Sequence, residues 1–271
     1  MQKLLVLLSV FLFTAFTSKS VVNKSNNEGD PKKLPALLSA SASSSAAANN
    51  LVDSVYSALN LQEAGLSRDA FFEAYKGYEY LLSENMLRRK DLLTIADFSQ
   101  SSSMKRLYVI DLAKGKILFN TYVAHGHNSG ADYATSFSNA NNSNKSSLGF
   151  LVTAETYTGG KGYSLRFDGV EKGINDNVRN RAIVMHGSNY VNGDRAASGV
   201  MMGRSWGCPA VSYAEHKAII NTIKGGSCFF IYSPDVFYAN NSKVLNSNFE
   251  WPDLQHTETL PVIEPPVVVT K

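Results

Sequence analysis

From residue 91 to Tyr232 the apolar residues arrive in short runs separated by Gly, Asn and Ser. That spacing suits brief strands better than long helices. Lys105–Asp111 carries Leu107, Val109 and Ile110; Lys114-Gly115 makes a turn; and Ile117–Val123 returns, which predicts a β-hairpin. Further strands are expected at Gly149–Thr153, Tyr163–Phe167, Ala182–His186 and Ser227–Tyr232. Ala214–Lys224 reads as a short helix closed by Gly225-Gly226. The Asn- and Ser-rich residues 139–147 are expected to form a surface loop. The fold class that follows is mainly β with some helix.

The flanks differ from this central region. Lys3 precedes an apolar run, Leu4–Phe13, and small polar residues follow. That is the order of a secretory signal, and the run is too short for a stable membrane span. Residues 1–20 are therefore expected to be a signal peptide, and the mature chain periplasmic or secreted with no stable span. Residues 21–50 are rich in Ser, Ala, Asn and Lys and are expected to be a flexible linker. Residues 51–90 read as a small helical segment. Ser67 is placed to cap a helix, and Phe71, Tyr75, Tyr78 and Leu82 form a stripe suited to docking on the next domain. Residues 91–240 are expected to be the main domain, and 241–271 a tail containing Pro252, Pro261, Pro265 and Pro266.

A formal net charge of +3 over 271 residues names no partner by bulk electrostatics. No basic stripe with interleaved aromatics is present, so nucleic acid is not expected as a ligand. Arg88-Arg89-Lys90 reads as a solvated helix end.

The chemistry concentrates between Arg181 and Val211. Ile183-Val184-Met185 leads into His186-Gly187-Ser188, and Gly203-Arg204-Ser205-Trp206-Gly207-Cys208-Pro209 follows. A thiol nucleophile needs a base within reach and donors for a developing oxyanion. A histidine ending an apolar strand, and a cysteine beside a permissive glycine, are the residue types that supply them. On residue chemistry alone two bland readings stay open: a hydrogen-bonded His186 at a strand edge, and a structural Cys208, free or bridged to Cys228.

His186-Gly187 followed by Ser205-Trp206-Gly207-Cys208 resembles the catalytic motif of the L,D-transpeptidase (YkuD-like) family, over roughly residues 104–235. The resemblance implies a β-sandwich or barrel catalytic domain acting on peptidoglycan stem peptides, with no cofactor. It implies Cys208 as nucleophile and His186 as general base. Gly187, through its carbonyl, or Ser188, through its hydroxyl, would orient the imidazole. Ser205 would shape the loop, and the Gly207 and Cys208 amides would be oxyanion donors. The family's pattern has an Arg two residues after the cysteine, where this chain has Ala210, and Pro209 replaces the usual aliphatic residue. Arg204 and Arg195 are candidates to substitute for that Arg, with Trp206 and His125 as further substrate-binding candidates.

Three alternatives stand beside this reading. The same dyad, with water as acceptor, would make an L,D-carboxypeptidase or another cell-wall peptide hydrolase. A wall-binding module with a vestigial Cys208 would need no turnover. His125 and His127, joined by His186, have the residue types of a zinc peptidase site, although no His-Glu-x-x-His helix accompanies them.

Overall fold

The computed structural model describes residues 33–249 and 251. The segment 1–20, expected to be a signal peptide, and the tail beyond residue 251 lie outside the described residues. The chain divides into two compact units, 1–41 and 42–271. The described part of the first is the beginning of helix α1 (Lys33–Ala58). Residues 33–50 are thus helix, where a flexible linker was expected. Alanine is the strongest helix former and loses no side-chain entropy on ordering. In the second unit Ala48 and Val52, one turn apart, are buried, which gives the helix a packed face.

Helix α2 (Arg68–Ser83) begins at Ser67, whose side chain accepts the Ala70 N–H. Of its stripe, Phe71 and Tyr78 are buried in the core and Tyr75 and Leu82 pack against it. Burial of side chains of this size contributes roughly 1.5–3 kcal/mol each. The partners of α2 are strands β1 (Leu92–Asp97) and β8 (Cys228–Tyr232). Gly77 faces Phe150 so closely that a Cβ there would lie 2.0 Å from the ring. Residues 51–90 therefore do not form a separate segment ahead of a domain boundary. Their apolar face is completed by the sheet, inside one unit.

The remaining strands are β2 (Leu107–Asp111), β3 (Lys116–Thr121), β4 (Gly149–Gly159), β5 (Gly162–Gly169), β6 (Val184–Ser188) and β7 (Ala210–Ser212). They form one eight-stranded sheet, ordered β3-β2-β1-β8-β4-β5-β6-β7. Two pairings are parallel, β1 with β8 and β6 with β7, and the others are antiparallel. Beyond β3 the chain reaches Ala124, which bridges to Ala210 in β7 at the opposite edge. This bridge curls the sheet into a near-barrel and brings the 122–126 segment under the functional loop. Helix α4 (His216–Ile223) packs on β5 and β6.

β1 is buried at every position and shows no alternation, because it is central and covered on both faces. Its sequence, Leu92-Leu93-Thr94-Ile95-Ala96-Asp97, therefore lacks the period-two signal. The C-terminal segment packs as far as it is described. Helix α5 (Val236–Asn241) is followed by buried Val244 and Leu245, and Trp251 stacks on Tyr75 at 6.4 Å.

Candidate active site

Strand register brings the histidine and the cysteine to one place. His186 pairs with Ala210 across the parallel β6–β7 ladder. Cys208 precedes Ala210 by two residues, so it falls back toward the start of β6. There its Sγ meets the Val184 N–H at 3.5 Å and faces the Ala182 carbonyl at 3.8 Å. Cys208 and His186 line the same cavity of about 360 Å³, together with Tyr157, Tyr190, Ile183 and Trp206. The fourteen-odd residues of intervening loop, which the sequence left unplaced, fold back through short helix α3 (Gly193–Ala197).

The loop that carries the thiol is fixed by Ser205. Its hydroxyl donates to the Cys208 carbonyl at 2.6 Å and accepts the Gly207 N–H at 3.1 Å. The Ser205 N–H in turn donates to the His125 carbonyl at 2.9 Å. Gly207 sits at φ +113°, and a Cβ there would lie 2.6 Å from the Lys145 carbonyl oxygen. Both the backbone conformation and the space require glycine. Because the Gly207 amide is engaged by Ser205, it is not an oxyanion donor in this arrangement, contrary to the expectation from the sequence.

The imidazole of His186 is buried, and its Nδ1 lies 3.0 Å from the Gly187 carbonyl. A carbonyl only accepts, so the proton resides on Nδ1 and Nε2 keeps its lone pair. Burial holds the His186 pKa below its ordinary value; Lys161 and His216 add to this and the Gly187 carbonyl opposes it. Burial also raises the Cys208 thiol, against the Val184 N–H and the charges of Arg181 and Lys161. The resting pair is therefore a neutral thiol with a neutral imidazole.

The other sequence candidates fall in different places. Ser188 accepts the Tyr190 N–H on its hydroxyl at 3.4 Å, and the His186 Nδ1 is met by the Gly187 carbonyl instead. Trp206 is 78% exposed at the cavity rim. Arg204 lines the cavity while its guanidinium donates to the Gly130 carbonyl at 2.8 Å and to that of His127 at 3.2 Å. Arg195 does not reach the cavity; its guanidinium is spent on the Met201 carbonyl. Nor does His125 form the cleft wall. It is fully buried behind Ser205, because the 122–126 segment closes the barrel there.

The arrangement around His125 also overturns the zinc alternative. Its Nδ1 accepts from the Arg106 guanidinium at 2.7 Å, and its Nε2 faces the Gly130 carbonyl at 3.4 Å. Both ring nitrogens are committed, beside a buried cation that would repel a metal ion. His127 is exposed. Among the described residues no group of three candidate ligands comes together. The disulfide alternative fails as well. Both cysteines are free, and Cys228 is buried within β8.

Several cavity residues escaped the sequence reading. Arg181, Lys161, Tyr157 and Tyr190 belong to the wall. Lys161 sits in a Gly160-Lys161 turn whose sequence signals only a hairpin tip. Arg181 donates to the carbonyls of Ser138 and Lys145 and to the hydroxyls of Ser143 and Ser147, fastening the 138–147 loop beside the thiol.

Residues 62–232, well over half of the chain, match the family model of the L,D-transpeptidase catalytic domain. Similar solved structures include an L,D-transpeptidase from Mycobacterium smegmatis, at 12% identity and a TM-score of 0.33, covering 53% of this chain and 59% of that one. An L,D-transpeptidase from Stackebrandtia nassauensis is 15% identical with a TM-score of 0.32, covering 60% of this chain and 66% of that one. The helical cell shape determining protein Pgp2 from Campylobacter jejuni is 14% identical with a TM-score of 0.35, covering 59% and 57%. The chain thus spans less than two thirds of the length of each of these structures. Comparison with curated proteins gives no match.

Proposed function

The chain belongs to the L,D-transpeptidase catalytic-domain family, and from that premise we propose that it is an exported cysteine acyltransferase acting on peptidoglycan stem peptides. The observation that carries this reading is the shared cavity of Cys208 and His186, with an imidazole whose Nε2 is unprotonated.

The proposed donor is the bond between the L-centre of a stem diamino acid and the terminal D-alanine. Cys208 Sγ attacks its carbonyl carbon as the thiol proton passes to His186 Nε2. The Cys208 amide is the candidate donor to the oxyanion. Collapse breaks the C–N bond, and the imidazolium returns its proton to the departing D-alanine amine. A thioester remains on Cys208. An amine of a second stem then attacks the thioester, loses a proton to Nε2, and expels the sulfur, which is reprotonated. Holding the neutral pair in a half-buried cleft keeps the thiol unreactive until a substrate carbonyl is seated.

The test is the intact mass of the purified chain after incubation with a muropeptide tetrapeptide. An adduct on Cys208 with stoichiometric release of D-alanine is the expected result. Cross-linked products would identify a transpeptidase, and free tripeptide a carboxypeptidase. Absence of any adduct on a folded chain with a titratable Cys208 would sink the enzymatic reading in favour of a wall-binding role.

A further inference from the structure

The Cys208 cavity is lined by three cations, Lys161, Arg181 and Arg204, and among the described residues no Asp or Glu lines it. Such a one-signed cleft favours an anionic occupant. The three cations are not equally available. Arg181 makes four hydrogen bonds to the 138–147 loop, and Arg204 donates to two carbonyls of the 127–130 segment. Lys161 is exposed, and among the described residues it makes no hydrogen bond or ion pair; its ammonium sits 5.9 Å from the centroid of the Trp206 ring.

The fold explains its position. β4 and β5 form a hairpin whose last pair is Gly159 with Gly162, so Gly160-Lys161 is the tip. Ser164 of β5 pairs with His186, which places the tip a few residues beyond the imidazole. Tyr157, also on the hairpin, lines the cavity with it. Lys161 acts electrostatically on both His186 and Cys208. Position 210 has no room for a cation. Ala210 is fully buried in β7, packed with Ala124, Val191 and Met202.

We propose that Lys161, held over Trp206 at the hairpin tip, is a specificity residue that receives a carboxylate of the bound peptide beside Cys208. The ammonium supplies the charge, while the 78% exposed Trp206 ring gives the lysine stem and the peptide an apolar surface to lie on. Two carboxylates of a stem peptide have this chemistry: that of the terminal D-alanine and that on the side chain of the diamino acid. The choice of a stem peptide rests on the function proposed above; the anion preference of the cleft does not.

The anion preference is tested by alkylation of Cys208 with iodoacetate and with iodoacetamide, read by intact mass at low ionic strength. The two reagents differ in one negative charge, and the thiolate fraction cancels in their rate ratio. Lys161→Met is expected to lower the iodoacetate-to-iodoacetamide ratio by about threefold. Lys161→Arg is expected to restore it, and Lys217→Met, on the exposed side of α4, to leave it unchanged. Added salt should shrink the wild-type ratio toward that of Lys161→Met. An equal ratio in wild type and Lys161→Met, with both chains folded by circular dichroism, would overturn the proposal whatever the natural substrate.

The source of the carboxylate is read from KM with three tetrapeptides: unmodified, C-terminally amidated, and amidated on the diamino-acid side chain. The amidation that abolishes the KM difference between wild type and Lys161→Met identifies the carboxylate received. A difference that survives both amidations would remove the subsite assignment. Failure of all three peptides to acylate Cys208, with the alkylation ratio behaving as expected, would count against the stem-peptide reading and leave the anion site standing.

Discussion

The Ser205 hydroxyl donates to the carbonyl of Cys208 at 2.6 Å while accepting the Gly207 N–H, so a single oxygen closes the turn that presents the nucleophile. Neither bond touches the sulfur, yet together they fix the φ/ψ path that aims it. Ser205→Ala removes both and leaves buried backbone groups unmatched, a loss of about 1–2 kcal/mol. Alkylation and acylation of Cys208 are both expected to slow by roughly tenfold, with Tm lowered by a few degrees. Unchanged rates with a lowered Tm would mean that the turn is structural and the thiol is aimed by other contacts.

The pH profile should report His186. The base must be neutral to accept the thiol proton, so activity is lost as pH falls through the imidazole pKa. Burial, Lys161 and His216 hold that pKa below 6.5, and the acid limb of kcat/KM should therefore have its midpoint below 6.5. Removing the Lys161 charge stabilises the imidazolium and raises its pKa. In Lys161→Met the limb should shift toward neutral pH, a displacement that a merely structural lysine would not produce.

Buried His125 ties stability to pH. Burial first, and then the Arg106 charge, push its pKa down to about 4, from 6.5 when unfolded. The unfolded chain binds the extra proton between those values, so this contribution to stability is complete above pH 6.5 and is lost as pH falls toward 4. The loss is roughly 3 kcal/mol. Urea unfolding of wild type and His125→Gln at pH 7 and pH 4.5 isolates it from the titration of carboxylates. A wild-type curve that falls no faster than the variant's across this window would refute the assignment.

The two cysteines should separate chemistry from packing. Cys208→Ser is expected to keep the fold and abolish acylation. Cys228→Ala, at the buried start of β8, should cost about 1 kcal/mol of stability through a small cavity and leave the acylation rate within twofold. Comparable loss of activity in both variants, with intact folds, would mean that the nucleophile is misassigned.

Much of this protein is legible in the sequence because the signals are local. The hairpin at 105–123, the strands around residues 150, 165, 185 and 230, the Ser67 cap and the α2 stripe each follow from side-chain periodicity within one element. The histidine and the cysteine announce themselves by residue type and by their resemblance to the family motif. Where the sequence misled, the deciding interaction was long-range. β1 falls where the pattern turns to strands at residue 91 but could not be delimited, because both of its faces are covered by other elements. Residues 33–50 are the exception: the alanine run favours helix by local propensity, and Ala48 and Val52 bury one face of α1 toward its C-terminal end. His125 left the cleft wall because the Ala124–Ala210 bridge closes the barrel and points the ring at Arg106. Lys161 is a turn residue by sequence, and the pairing of Ser164 with His186 makes it a neighbour of the active site. The chain's order thus determined which elements form and which groups can react. Strand register across the sheet, a property of segments distant in sequence, decided which of those groups meet.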